Sequence, residues 1–210
     1  MRTLQKIIRR ANLPVEYSKG FNPHMSLSIA QPLSVGMSSK GEYLDLGLLE
    51  ELSEKEIKDR LIENTPNSIN ILEVKKVVEE GKKVPAAMAL IDRATYEIKV
   101  YFNDTTRVEK ELEELLKENS WKIMKKSKKG EKEVDIRPLI KDIKYWCKDS
   151  HLIINCTLPC GSREHLSPEL LVNYIKGHIE GADEEKFTYI ERKEMYAEKN
   201  ERFIPLYKYV

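Results

Sequence analysis

The segment from Tyr17 to His24 has the residue types of a binding loop rather than those of a simple turn. Its sequence, Tyr-Ser-Lys-Gly-Phe-Asn-Pro-His, lies between two segments that have regular hydrophobic patterns. A turn needs glycine or proline, but it does not need a lysine, a phenylalanine, an asparagine and a histidine beside them. Because exposed loops commonly carry binding residues, these additional side chains predict contacts with a partner.

The side chains of this loop suit contacts with RNA. Phe21 can stack on a base, while Asn22 and His24 can form hydrogen bonds with base edges or phosphates. Lys19 can neutralise a phosphate. A purely structural interpretation also exists, in which Gly20 adopts a positive φ, Phe21 fills the core and Asn22 bonds its own backbone. That interpretation gives Lys19 and His24 no role, so we favour a binding loop.

An amphipathic helix is predicted before the loop, since apolar residues recur at i, i+3, i+4 and i+7 from Leu4 to Ala11. Basic residues occupy a neighbouring face of this helix. Between Met1 and Met25, five basic residues are accompanied by one acidic residue, Glu16, and this excess predicts a phosphate-binding surface. The alternative is a solvated face whose aliphatic stems cover apolar neighbours. The basic residues are Arg2, Lys6, Arg9, Arg10 and Lys19.

A second basic run lies near the middle of the chain, where the pattern predicts the tip of a hairpin. Lysine clusters alone are weak indicators of nucleic-acid binding, although Trp121 and Trp146 are not far away in the sequence. We therefore expect mainly a solvated surface here. The run consists of Lys122, Lys125, Lys126, Lys128 and Lys129.

The cysteines do not form a recognisable metal-binding motif. Cys147, Cys156 and Cys160 are separated by eight and three residues, which does not fit an iron–sulfur cluster. Cys156, Cys160 and His165 offer three zinc ligands, whereas structural zinc normally takes four. We expect Cys156 to be a small core residue, and we expect neither a metal nor a cofactor.

The composition excludes several classes of protein. The 210 residues include 36 basic and 35 acidic side chains, so any nucleic-acid binding must come from local patches. No apolar run approaches the length of a membrane-spanning helix, and we expect no signal peptide, because the first ten residues hold four basic residues and no apolar core segment. The three cysteines predict no disulfide framework. We therefore expect a cytoplasmic protein without a membrane partner.

The hydrophobic patterns predict an α+β protein of two ferredoxin-like or RRM-like units, each with the plan βαββαβ. The units span residues 1–84 and 85–210, and the charged segment 79–84 links them. Ser53 and Glu56 form a predicted capping box at the start of a helix in the first unit.

In the first unit, alternating residues predict strands within 25–30 and 42–48, and a further strand over 69–78. The polar segment 36–41 is predicted to be a turn. The chain begins inside its first helix, so we expect that an opening strand upstream of Met1 is missing. A sheet without that strand would expose an edge, and an exposed edge favours self-association.

The most specific combination of motifs is Arg-Arg-Ala at 9–11, Gly-Phe-Asn-Pro-His at 20–24 and Glu-Tyr at 42–43. With these motifs the chain resembles the bacterial DUF2344 family, also called the radical SAM-linked or radical SAM-associated protein family. Looser matches in the second half extend the resemblance over nearly the whole chain. They lie at Ala94-x-Tyr96, at Asp135-Ile136-Arg137-Pro138 and from Arg192 to Tyr196.

The resemblance implies an accessory module of a B12-binding radical SAM enzyme, either as a separate chain or as a fused domain. Members of the family usually carry a strand and a Ser-His-Leu-Asp segment before the residues that match Met1. Both are absent from this sequence, which agrees with the expected missing strand.

Our leading hypothesis is a non-catalytic module that binds a ribosomal or transfer RNA element and presents it to the radical SAM enzyme. One alternative is a protein–protein adaptor that docks that enzyme. Another is a small enzyme that uses His24 with an upstream histidine–aspartate pair. The residues assigned to RNA or partner contacts are Arg2, Lys6, Arg9, Arg10, Lys19, Phe21, Asn22 and His24.

Overall fold

The computed structural model describes residues 1–78, 84–127 and 130–209, and within them the protein is an α+β protein, as predicted. The helices are α1 (Arg2–Arg10), α2 (Glu54–Glu63), α3 (Ala87–Leu90), α4 (Val108–Lys117) and α5 (Pro168–His178). The strands are β1 (Leu27–Ile29), β2 (Met37–Ser39), β3 (Leu44–Leu46), β4 (Ile91–Tyr101), β5 (Lys122–Ser127), β6 (Gly130–Asp135), β7 (Lys141–Lys148), β8 (His151–Pro159), β9 (Tyr189–Lys199) and β10 (Arg202–Pro205).

The largest sheet belongs mainly to the second half of the chain and has the order β10-β9-β4-β8-β7. Within this order, each strand is antiparallel to the strand beside it. Helix α4 lies between β4 and β7 in the sequence, and α5 lies between β8 and β9. This connectivity agrees with the βαββαβ plan predicted for the second half, with the hairpin β5–β6 inserted after α4.

The main hydrophobic core lies on one face of this sheet. Alternate residues of β4 and β8, such as Ile98 and Ile154, are completely buried there together with Leu112 of α4 and Leu171 of α5. Trp121 is also fully buried, and its indole Nε1 donates to the Leu115 carbonyl over 3.1 Å. The apolar faces of the amphipathic helices α4 and α5 thus cover one face of the sheet.

The first half of the chain has a smaller hydrophobic cluster of its own. It contains Ile8 of α1, Met25 before β1 and Ile57 of α2. Strands β1 and β3 form a short antiparallel ladder beside it. The predicted cap of α2 is confirmed, because Ser53 Oγ accepts a hydrogen bond from the Glu56 N–H over 3.1 Å.

Segment 36–41 was predicted to be a turn, and this prediction is wrong for its central residues. Met37–Ser39 forms β2, which pairs in parallel with β9 and lies opposite Ile190, Glu191 and Arg192. The local sequence Met-Ser-Ser has no strand pattern, so only pairing with a distant strand stabilises this conformation. As a result, the first half of the chain contributes a strand to the large sheet.

The strand predicted over 69–78 is also absent from the structure. This segment is held against α2 by side-chain contacts instead of a ladder. Lys58 Nζ donates to the Leu72 carbonyl over 2.7 Å, and the Lys76 N–H donates to Glu54 Oε1 over 2.8 Å. Alternating hydrophobicity alone therefore gave the wrong prediction here. The predicted linker 79–84 lies outside the described residues except for Val84, so the domain boundary stays a prediction.

None of the helices in the described ranges has the length and apolar character that crossing a membrane requires.

The start of β4 and the loop after β8 approach each other closely, and Gly161 permits this contact. A Cβ atom at position 161 would lie 2.4 Å from the Ile91 carbonyl oxygen, which belongs to the backbone. The neighbouring Cys160 N–H donates to the Asp92 carbonyl over 3.0 Å. A side chain at position 161 would thus separate backbone segments that are hydrogen-bonded to each other.

We predict that Gly161→Ala lowers the free energy of unfolding by about 1–3 kcal/mol, because the added methyl group forces the backbone apart. Urea denaturation would measure the change. Gly177→Ala is the matched control, since apart from its chain neighbours and the backbone of α5 itself, nothing lies within 4 Å of that Cβ position. Alanine there should be neutral or stabilising. Equal stability of wild type and Gly161→Ala would contradict the close contact.

Candidate functional site

The loop between Tyr17 and Met25 is closed by hydrogen bonds at its base. The Ser18 N–H donates to the His24 carbonyl over 2.8 Å, and the His24 N–H donates to Ser18 Oγ over 2.9 Å. Tyr17 and Met25 form an antiparallel bridge beside these bonds. Gly20 has a φ of +135°, which residues with a side chain rarely adopt. Hydrogen bonds therefore hold the two ends of the loop together, and residues 19–23 form its tip.

The side chains at this tip point into solvent. Phe21 is completely exposed, with a relative accessibility of 105%. The structural interpretation in which Phe21 fills the core is therefore wrong. Lys19, Asn22 and His24 are exposed as well. An aromatic ring that contributes nothing to the core remains available for stacking on a partner.

Helix α1 separates an apolar face from a basic face, as its spacing predicted. Ile7 and Ile8 are buried, whereas the four predicted basic residues are exposed. Arg9 and Arg10 lie in the last turn, where positive charge also favours the helix dipole. Among the described residues, none of the four forms an ion pair, and the same holds for Lys19. Their charges therefore remain available to phosphates.

One small hydrophobic cluster anchors both α1 and the loop. Ile8 and Ala11 enter it from α1, and Met25 enters it at the end of the loop. The segment between them is tied to the β1–β3 ladder, because the Glu16 N–H donates to the Gly47 carbonyl over 2.9 Å. The structure thus attaches the two predicted binding elements to the same support.

Two lysines of the lysine-rich hairpin form contacts within the chain. Lys122 forms an ion pair of 3.0 Å with Glu133 on the facing strand, and this contact raises the pKa of Lys122. Lys125 donates to the His165 carbonyl over 3.3 Å. Both lysines are therefore engaged within the chain. The Lys126 side chain, Lys128 and Lys129 lie outside the described residues.

Cys156 lies in the main core, in agreement with the predicted core role. Cys160 is buried at the end of β8 and forms an isolated bridge with His165. No group of three His, Cys, Asp or Glu side chains within the described ranges is arranged to hold a metal ion. Burial raises the pKa of both the Cys156 and the Cys160 thiol to about 12.

The sequence did not reveal a buried polar cluster around Arg192 in β9. Its guanidinium, only 3% exposed, donates from Nη1 to the Gln31 carbonyl over 2.9 Å and from Nη2 to the Pro32 carbonyl over 3.4 Å. Nη1 also forms a 3.2 Å ion pair with Glu42 Oε2. Beside it, Tyr43 Oη donates to Glu194 Oε1 over 2.5 Å. These contacts join segments about 150 residues apart, so no local pattern could have predicted them.

The environment of Arg192 is poorly solvated. Burial raises the pKa of the Tyr96 phenol to about 12, although the neighbouring guanidinium opposes this increase. Burial also raises the pKa of Glu42, against the effects of Ser39 and Arg192. A buried charge in this environment is unfavourable unless hydrogen bonds and an opposite charge compensate it. Arg192 Nε has no hydrogen-bond partner among the described residues. We interpret the cluster as a latch between the two halves of the chain.

Removing the Arg192 guanidinium should destabilise the protein. We predict that Arg192→Met lowers the free energy of unfolding by about 3 kcal/mol, because two carbonyls and Glu42 lose their charged partner. Urea denaturation would measure this loss. Lys193→Met is the neighbouring control, and it should cost less than about 1 kcal/mol since Lys193 forms only partly exposed ion pairs. Equal losses for the two variants would contradict the latch.

Thiol reactivity offers a second test. At pH 8 the native protein should react with Ellman's reagent at Cys147 alone, because the other two thiols are buried and their pKa of about 12 leaves almost no thiolate. Burial also raises the pKa of Cys147, so its reaction should be slow. All three should react in denaturant. Rapid labelling of native Cys147→Ser would show that Cys156 or Cys160 is accessible.

Comparison with known proteins finds one match. A protein family described as "Uncharacterized protein conserved in bacteria (DUF2344)" matches residues 1–168, a range that includes α1, the exposed loop and the latch residue Glu42. No curated protein and no solved structure matches the sequence. Since the matched range covers most of the 210 residues, the chain belongs to the DUF2344 family.

Proposed function

We propose that this protein is a non-catalytic accessory module that binds RNA in the cytoplasm and presents it to a radical SAM enzyme for modification. The observation that carries the proposal is the fully exposed Phe21 ring on a loop whose ends are fixed. The ring is not packed in the core, and it lies on a loop that follows a basic helix face, an arrangement that favours stacking on a nucleobase whose phosphates contact the basic residues.

The charges around the loop favour RNA as the partner. Arg9, Arg10 and Lys19 have no acidic partner among the described residues, although the whole chain is almost neutral. Basic side chains without an acidic partner, next to an exposed aromatic ring, suit the binding of single-stranded RNA. Such RNA offers phosphates to the basic side chains and unstacked nucleobases to the ring. In this arrangement Arg2 and Lys6 extend the phosphate contacts along α1.

Asn22 and His24 complete the proposed surface. Their exposed side chains can form hydrogen bonds with base edges, while the backbone of His24 is already used to close the loop. The backbone bonds hold the loop in one conformation before RNA binds, which reduces the entropy lost on binding.

The same exposed ring also suits a protein adaptor, because aromatic residues are enriched in protein interfaces. The two functions differ in their response to salt. Binding to RNA weakens steeply as the salt concentration rises, since phosphate contacts release counterions. Binding to a radical SAM enzyme through Phe21 would depend much less on salt.

We predict that Arg9→Ala combined with Arg10→Ala weakens RNA binding for all sequences alike and lowers the salt slope by about 1.4, or about 0.7 for each lost contact with a single-strand phosphate. Fluorescence anisotropy with labelled RNA at several salt concentrations would measure both effects. Arg107→Ala combined with Arg163→Ala is the matched control, because it removes equal charge from exposed positions in the second half. Unchanged affinity in the first variant would refute the proposed surface.

A further inference from the structure

The large sheet has a second face that the helices do not cover. Strand residues alternate between the two faces, so Ile153, next to the core residues Leu152 and Ile154, lies on this second face, where it is itself only 9% exposed. Its cross-strand partners lie on the same face. They are Trp146 on β7 and Lys99 on β4.

One row of side chains crosses the open face from the edge strand β7 to β9. The ladder places Trp146 opposite Ile153, Ile153 opposite Lys99, and Lys99 opposite Tyr189. Trp146 is 39% exposed and Tyr189 is 57% exposed. Three strand spacings of about 4.8 Å separate the two aromatic residues by roughly 14 Å. The row therefore offers two separate rings on a flat surface.

Further aromatic side chains border this row. His151 and Tyr101 are cross-strand partners on the same face, with their ring centroids 5.4 Å apart in a T-shaped contact. Lys186 Nζ lies 5.6 Å from the centroid of the Tyr101 ring. Phe187, which is 57% exposed, contacts the edge of Tyr189. The end of the sheet near Trp146 and Tyr189 is thus rich in aromatic and basic groups.

Positive charge surrounds Trp146. Lys144 and Lys148 lie two residues on either side of it, on the same face of the edge strand, and both are exposed. Neither forms an ion pair within the described part of the chain. Two acidic groups lie near these lysines and reduce the positive charge: Asp149 in the next turn, and Glu109, which accepts a hydrogen bond from the Cys147 N–H over 2.6 Å.

The acidic residues of the open face are already neutralised. Glu97 pairs with Lys99 at 3.6 Å and with Lys193 at 3.4 Å. Glu191 contacts Lys193 and lies 3.9 Å from Lys40. Glu97 and Glu191 are thus engaged by Lys40, Lys99 and Lys193 and form no ion pair with Lys144 or Lys148 among the described residues.

We infer that this open sheet face is a binding surface for single-stranded RNA, with Trp146 stacking on a base and Lys144 and Lys148 contacting the flanking phosphates. The chemistry favours RNA over a protein partner, because lysine is depleted in protein interfaces whereas base stacking between basic residues is typical of single-strand binding. This inference rests on the proposed function, to which it adds a second surface for the same ligand.

Tryptophan fluorescence of the full chain tests the inference. Trp121 is completely buried and stacks on Tyr174, so only Trp146 should respond to added ligand. A single-stranded RNA of about eight nucleotides, a length within the usual site size, should quench the emission. The same sequence as a duplex should quench it far less, since its bases are already stacked. Absent quenching, or equal quenching by the duplex, would overturn the inference.

Variants then measure the contribution of each group. Trp146→Ala should weaken binding of the labelled oligonucleotide by about fivefold to 150-fold, whereas Trp146→Phe should retain most of the affinity. Lys144→Gln with Lys148→Gln should lower the salt slope by about 1.4. Lys55→Gln with Lys110→Gln is the control, because these exposed lysines lie on helices. Circular dichroism would show that each variant is folded.

The two proposed RNA-binding surfaces, the sheet face around Trp146 and the basic face of α1, can be tested independently. If Trp146→Ala binds RNA like the wild type while the double variant of Arg9 and Arg10 loses affinity, the sheet face is not a site and the proposed function stands. If Trp146→Ala loses affinity and the Arg9 and Arg10 variant does not, the sheet face stands and the proposed surface on α1 fails. A wild-type chain that binds no single-stranded RNA, or quenching of Trp146 only by a protein partner, would overturn the inference.

Discussion

The buried guanidinium of Arg192 is the interaction on which the arrangement of the two halves depends. It lies on β9 and holds the carbonyls of Gln31 and Pro32, which belong to the segment between β1 and β2. A buried charge without partners would be strongly unfavourable. The segment between β1 and β2 is therefore most stable in the position in which its carbonyls accept hydrogen bonds from the Arg192 guanidinium. The parallel pairing of β2 with β9 and the contact between Tyr43 and Glu194 follow from that position.

The latch also explains how an exposed loop can remain in place. Residues that follow β1 are fixed to the large sheet, while those before it join a small cluster around Ile8 and Met25. Between these supports, the backbone at Ser18 and His24 closes the loop without using the side chains of Lys19, Phe21 or Asn22. Backbone groups at the ends of the loop thus have hydrogen-bond partners, while the side chains of Lys19, Phe21 and Asn22 remain exposed.

Local patterns predicted much of the structure. The spacing of apolar residues located α1 and its basic face, Ser53 located the start of α2, and the hydrophobic patterns predicted the βαββαβ order of elements in the second half. These features depend on neighbours within one or two turns, which the sequence displays directly. Prediction failed at 69–78 and at Met37–Ser39, where the conformation depends on contacts with distant residues.

The sequence by itself determined which residues the exposed loop contains, which face of α1 is basic, and that the cysteines lack the spacing of a metal site. Only the tertiary structure decided that Phe21 lies outside the core, that Arg192 joins the halves, and that Trp146 lies between two lysines on an open sheet face. The reason is physical. Residue types and spacing define local chemistry, whereas burial and cross-strand neighbours arise when segments far apart in the chain pack together.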